Sequence, residues 1–304
     1  MIKSVTVTNY LGESLIMELA RPEKSGFLVY SITGLGPGKA DINAAESATD
    51  DGSIYNSARL PARNIVIGIK FLEKPTIEAT RLLSYKYFPL KKKVTLTIET
   101  DSRRAEIEGY VESNDPGIFS SSEGTTVSII CTNPLFKAVG DGSVVSTYFY
   151  GIEPRFEFPF SNESLTSPLI EFGSFDANGE KSVFYSGDSD IGMTMHIYAY
   201  GDVGNVTITN TRTREQMTIN TDRIESMTGS GLVDGDEIII CTVKRNKSVV
   251  LLRDGKTTNI LNALARNSDW FTLTRGDNVF AYSAEYGSTN LRFRVDYQIT
   301  YEGV

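Results

Sequence analysis

Cysteine, histidine and tryptophan are almost missing from this 304-residue chain, which holds two, one and one of them respectively. Cys131 and Cys241 are too few for a disulfide framework and fall short of the four ligands of a thiolate zinc site. Both sit in apolar, strand-like runs (SIICT and IIICTV), where a cysteine is ordinarily a small buried hydrophobe. Such cysteine usage fits synthesis in a reducing cytoplasm. The single histidine, His196, stands between Thr194 and Tyr198 with no thiol close by in sequence. Any Ser-His-Asp or Cys-His unit would have to be built around it alone, so a structural role is expected. Nucleophile-elbow, P-loop and H-E-x-x-H signatures are absent.

Positive charge is also in deficit. The chain has 30 Lys and Arg against 38 Asp and Glu, a net charge of −8. Affinity for a nucleic-acid backbone needs a cationic, counterion-releasing surface, so DNA is not expected as a bound ligand. An acidic wall still lets DNA pass, because it repels rather than holds it. No stretch reaches the ~18 apolar residues of a membrane span, so no membrane partner is expected. The opening Met-Ile-Lys-Ser-Val-Thr-Val-Thr alternates like a strand and lacks the apolar core of a signal peptide, and the sequons at Asn162, Asn205 and Asn246 read as chance. A glycosidase needs only two carboxylates. The acids here, however, fall in turn sequences: Asp50-Asp51-Gly52, Asp188-Ser189-Asp190 and Asp234-Gly235-Asp236. No segment matches a twelve-residue calcium loop, FDANGEKS around Asp176 and Asn178 coming nearest. The expectation is a protein without catalytic residues, metal or cofactor.

What the chain does have is period-two alternation. Val94, Leu96 and Ile98 alternate with Thr95 and Thr97; Val127, Ile129 and Cys131 follow the same rule; Met193, Met195, Ile197 and Ala199 alternate with Thr194, His196, Tyr198 and Tyr200. The longest case runs from Leu291 through Phe293, Val295, Tyr297 and Ile299 to Tyr301. Each reads as a strand with one buried face, the pattern of antiparallel sheets in sandwiches. Helical signals are few: Thr76 to Phe88, ended by Pro89, and Thr258 to Asn267, with Ile260, Leu261, Leu264 and Ala265 behind a threonine cap. Apolar residues at 40% and charged residues at 22% give a globular balance with room for about two domains. The predicted fold class is mainly β, two β-sandwich domains with one helix in the first.

Proline marks the boundary. All ten prolines lie between Pro22 and Pro168, and Pro134, Pro154, Pro159 and Pro168 cluster around one polar segment. The expected division is a first domain over 1–135, a connector over 136–164 and a second domain over 165–304. Inside the first, residues 34–61 (GLGPGKADINAAESATDDGSIYNSARLP) show no sustained strand or helix pattern. A loop of this length is expected to be functional, an arm reaching a neighbouring subunit.

The run VYSITGLGPGKADINAAESATDDGSIYNSARLPARNIVIGIKF resembles the N-terminal region of the distal tail protein (Dit) family of long-tailed phages: a belt arm, an Asp-Gly turn and an Arg-Asn-Ile start to an alternating strand. ATRLLSYKYFPLKKKVTLTIETDSRRAEIEGYVESND resembles the helix and hairpin that follow. GDSDIGMTMHIYAYGDVGNVTITNTRTREQMTIN and NILNALARNSDWFTLTRGDNVFAYSAEYG are similar to the family's galectin-like, jelly-roll C-terminal domain, with Val206 standing where members often have proline. The resemblance implies a homo-hexameric ring at the virion tail tip with a central channel for DNA. The ring joins the tail tube to the baseplate hub or tail-associated lysin and often anchors receptor-binding proteins. Belt residues expected at the subunit interface are Ile42, Asn43, Ile54, Tyr55, Arg59 and Arg63, as apolar, aromatic, polar or arginine side chains in a loop that otherwise has no use for them. Two rivals stand beside this reading. One is a carbohydrate-binding module recognising cell-wall saccharide, with Trp270 as a saccharide contact; the other is a wall-degrading enzyme.

Overall fold

The computed structural model describes residues 1–46, 51–119, 122–149, 151–154, 173–176 and 180–304. Residues 150 and 155–164 of the expected connector lie outside these, Pro159 and Asn162 among them, as do Asp50, Pro168 and Asn178. The chain divides into two compact units: Met1–Ser143 with Thr300–Val304, and Val144–Ile299.

The first unit holds β1 (Ile2–Thr8), β2 (Ser14–Glu18), β3 (Phe27–Thr33), β4 (Asp41–Glu46), β5 (Ser53–Arg59), β6 (Arg63–Phe71), α1 (Ile77–Tyr87), β7 (Lys93–Thr100), β8 (Arg104–Pro116), β9 (Gly124–Cys131) and β10 (Phe136–Ala138). The second holds β11 (Val144–Tyr148), β12 (Gly151–Pro154), β13 (Gly173–Asp176), β14 (Glu180–Tyr185), β15 (Thr194–Ala199), β16 (Val206–Asn210), β17 (Gln216–Ile219), α2 (Thr221–Thr228), β18 (Glu237–Cys241), β19 (Ser248–Arg253), β20 (Lys256–Asn259), β21 (Gly276–Ala284) and β22 (Leu291–Gln298). A last strand, β23 (Thr300–Tyr301), returns to the first unit and pairs with β10.

The first unit is built on an antiparallel sheet in the order β2-β1-β7-β8-β9-β6-β3, with β10 on β8. The alternation explains it. Register places Val7 opposite Leu96, Leu96 opposite Ile107, Val111 opposite Ile129 and Ile129 opposite Ile65, so the apolar residues form rows across one face. All of these side chains are buried. Burial is worth about 1.5–3 kcal/mol for each such side chain. Gly109 is required in this sheet, because a Cβ there would stand 2.5 Å from Ile129 Cγ2 and 2.8 Å from Cys131 Sγ. Burial pushes the Cys131 thiol up to about 11, so it stays protonated and inert. α1 begins where expected: Thr76 accepts a hydrogen bond from the Ala79 amide through its side chain. Arg81 turns in to Glu123 at 3.0 Å.

In the second unit a six-stranded sheet, β11-β22-β15-β18-β19-β20, and a four-stranded sheet, β14-β21-β16-β17, contribute to one core. Met195, Ile197, Ile238, Ile240, Phe293 and Val295 come from the first, and Val183, Tyr185, Ile208, Met217 and Phe280 from the second. Three expectations are corrected here. The helix predicted over 258–267 is instead β20 followed by a single 3-10 turn, Leu261–Ala263. Asp254 and Gly255 both have positive φ (51° and 74°), the turn that folds β20 back on β19, and Ile260 and Ala263 point into the core from irregular backbone. A helix the sequence reading missed, α2, is capped by the Asn220 side chain and stopped by Gly229 at φ 89°. The alternation over 291–301 is not one strand: β22 ends at Gln298 and buries its odd residues in the second core, while β23 belongs to the other unit, where Tyr301 packs half-buried against the first core.

The Asp234-Gly235-Asp236 turn does more than reverse the chain. Asp236, 2% exposed, accepts Arg253 Nε at 2.7 Å and Nη2 at 2.5 Å, and also the Val233 amide at 2.9 Å. Arg253 further donates to Ser230 Oγ and to the Gly231 carbonyl. Asp236→Ala strands this guanidinium and is expected to destabilise the second unit by about 3–5 kcal/mol. An earlier urea midpoint in Trp270 fluorescence would show it, and an unchanged midpoint would refute it.

Candidate functional site

Residues 41–59 are not the patternless loop their sequence implied. β4 and β5 form an antiparallel hairpin with Ile42 opposite Ala58, Asn43 opposite Ser57, Ala44 opposite Tyr55 and Ala45 opposite Ile54, and a bulge follows Asn43. Among the described residues neither strand pairs with any other. Every residue of both strands is exposed, with Ile42, Ile54 and Tyr55 at 69%, 68% and 65%. Alternation cannot appear where neither face is buried. A lone two-stranded hairpin is marginal in water and offers two open edges, and its exposed apolar side chains gain only when something covers them. Arg59 spans the base to Asp41 at 3.3 Å and is itself 81% exposed in its side chain. Ile42, Asn43, Ile54, Tyr55 and Arg59 therefore stand together on one projecting arm.

Arg63 does not join them. It is 6% exposed and lies beneath the arm, where its guanidinium donates to four carbonyl oxygens: Gly34 at 2.7 Å, Gly36 at 2.6 Å, Pro134 at 2.8 Å and Glu302 at 2.6 Å. Its plane lies 4.8 Å from the Phe136 ring centroid. Burial draws its pKa below the usual arginine value, with the Glu302 carboxylate acting the other way. Its expected role as a direct subunit contact is corrected: the side chain is spent internally, fixing the mouth of the arm. Gly34 is obligatory there, with φ +83° and a hypothetical Cβ only 2.2 Å from the Asn64 carbonyl oxygen. The Val304 amide closes the same junction on the Leu35 carbonyl at 3.1 Å.

The remaining candidates occupy the second unit. Trp270 is half-buried and packed against the core, and Lys247 Nζ sits 4.9 Å from its ring centroid. One indole side faces protein and an ammonium covers the ring, which leaves a poor platform for a sugar. His196 is pinned on the outer side of β15, with Nδ1 2.6 Å from Glu237 Oε1 and Nε2 3.2 Å from Asp296 Oδ2; Arg294 meets the same Asp296 oxygen at 3.1 Å. Both ring nitrogens are engaged by carboxylates, so the imidazole has no nitrogen left to activate a nucleophile. Among the described residues no three His, Cys, Asp or Glu side chains gather in a metal-holding group.

No family model and no curated protein matches the chain. Among solved structures, the Dit protein of phage SPP1 superposes with a TM-score of 0.63 at 14% identity, over 97% of this chain and 98% of that one. This chain has the fold of the SPP1 Dit protein. That structure is described as a paradigm of the hub adsorption apparatus in phages infecting Gram-positive bacteria. A chain of the phage P2 baseplate, in its activated conformation with calcium, aligns over 98% of this chain and 99% of its own at 11% identity and a TM-score of 0.41.

Two measurements follow from these placements. Arg63→Met leaves four buried carbonyls without their donor and is expected to destabilise the first unit by roughly 3–5 kcal/mol. A circular dichroism melt should show an earlier first transition while the Trp270 signal holds its own midpoint; coincidence with the wild-type melt would refute the clasp. Because Trp270 is the only tryptophan, adding cell-wall oligosaccharide should leave the emission spectrum unchanged, and a saturable shift would restore a saccharide role.

Proposed function

We propose that the protein is a structural, non-enzymatic subunit of a bacteriophage-type tail tip that closes into a homo-hexameric ring. The observation that carries this is the hairpin β4–β5, both strands solvent-exposed throughout yet rooted in an arginine-clasped junction. A surface subunit has no reason to hold an uncovered apolar arm in place unless a second chain covers it. Donor and acceptor surfaces then differ, which is the heterologous contact that cyclic rings use. The Dit-like fold of both units supports the same reading. On it, the ring joins the tail tube to the baseplate hub or tail-associated lysin, and the second unit offers docking positions for partners such as receptor-binding proteins. The net charge of −8 favours passage of DNA through a central channel without adhesion. Virion tail tip is the corresponding location.

Light scattering on the purified chain should return a mass of several 33.5-kDa copies, and negative-stain images should show rings with a hole. The Ile42→Asp, Tyr55→Ser double variant should shift the mass towards one chain without changing the melt. A wild-type mass of one chain at the highest reachable concentration would overturn the reading.

A further inference from the structure

The first unit carries a second exposed apolar surface, which the hairpin does not use within its own chain. α1 buries Thr80 and Ser84, with Phe88 buried at its end, but turns Leu82 and Tyr85 outward at 56% and 40% exposure. The β1–β2 turn adds Tyr10 and Leu11, at 52% and 65%, and the turn after α1 adds Leu90 at 55%. Three contacts join these into one surface. Asn9 Nδ2 donates to the Lys86 carbonyl at 3.3 Å, Lys86 Nζ meets Glu13 at 2.7 Å, and Lys92 Nζ lies 5.4 Å from the Tyr10 ring centroid. Lys91 and Lys92, both exposed, give the patch a basic margin. Lys93 beside them is already paired with Glu108 at 2.9 Å.

The hairpin is complementary to this surface in both respects. From Ala44 to Ala58 it contains acids and no lysine or arginine, with exposed Glu46 and Asp51 near its turn. The same stretch supplies Ile54 and Tyr55. Within one chain neither surface covers the other, because the apolar residues of both remain exposed.

We propose that the α1 patch, Tyr10, Leu11, Leu82, Tyr85 and Leu90 with Lys91 and Lys92, is the acceptor for the hairpin of a second copy of this chain. The inference rests on the ring reading above and adds the docking site to it. The apolar side chains of the arm leave water against the helix, while Glu46 and Asp51 meet the lysine margin. Each copy gives an arm on one side and receives one on the other, so the contact repeats with a single sense and can close.

Sedimentation equilibrium on four full-length variants tests it. K91E/K92E and E46K/D51K, each placing like charges together, should each weaken association about tenfold or more, and the chain carrying all four changes should recover it. Leu82→Ser, which removes apolar contact without charge, should weaken it in the same direction. All replaced residues are exposed, and a wild-type melt confirms that each variant is folded. If K91E/K92E and Leu82→Ser associate like wild type while Ile42→Asp, Tyr55→Ser falls apart, the acceptor lies elsewhere and the ring reading survives. If the hairpin variant also keeps its mass, or wild type is a monomer, the ring reading fails and this proposal fails with it.

Discussion

The arrangement depends on one buried cation. The Arg63 guanidinium donates to the carbonyl oxygens of Gly34, Gly36, Pro134 and Glu302, and the nearby Glu302 carboxylate favours its charge. Those four oxygens come from the segment leaving β3, the segment leaving β9 and the chain's return after the whole second unit. A planar, five-donor group can hold so many acceptors at once, and lysine cannot. Taking a guanidinium out of water is costly unless its donors are occupied, so these three segments are held to one geometry or the cation is left unsatisfied. Fixing that geometry fixes both ends of the hairpin. If the arm docks as proposed, one free to swing would lose more conformational entropy on docking, and the clasp removes part of that loss beforehand.

Burial determined which parts of this were legible in the sequence. β7, β9, β15 and β22 each place one face in a core, so hydrophobicity alternates and the strands can be read directly. β4 and β5 bury nothing; their Ala, Ser and Asn residues pair through backbone alone and leave no periodic trace. The segment 258–267 misled in the opposite direction. Ile260, Leu261 and Leu264 stand at helical spacing, but the Asp254-Gly255 turn commits the chain to a hairpin before any helix can start. α2 did carry a local signal, an Asn at the N-cap and Gly229 just past the end, overshadowed by the strand-like Met217 and Ile219 before it.

Arg63 shows the same lesson at a single residue. Its arginine chemistry assigns it to the interface, yet it is in phase with Ile65, Ile67 and Ile69, all buried along β6. Period two carried one step further places its side chain inward. Chemistry alone gave no such warning, since arginine is common at interfaces and rare in cores. Asp236 likewise reads as an ordinary turn acid, because nothing local to Asp234-Gly235-Asp236 reveals that Arg253 returns seventeen residues later to meet it.

The proposed ring sets an acidic chain against a physical conflict. At −8 per copy, bringing copies together concentrates like charge. Salt limits the range of that repulsion to about 8 Å at physiological ionic strength, so what matters at a contact is the charge lying within that distance. Here charge is segregated along the first unit: the hairpin from Ala44 to Ala58 has acids alone, while Lys91, Lys92 and Lys93 sit together after α1. Local attraction between those regions can outweigh the screened repulsion of the whole, leaving the remaining acidic surface to repel anything anionic that passes. In the proposed ring, contact with a second chain and non-adhesion to DNA would both rest on one uneven distribution of charge.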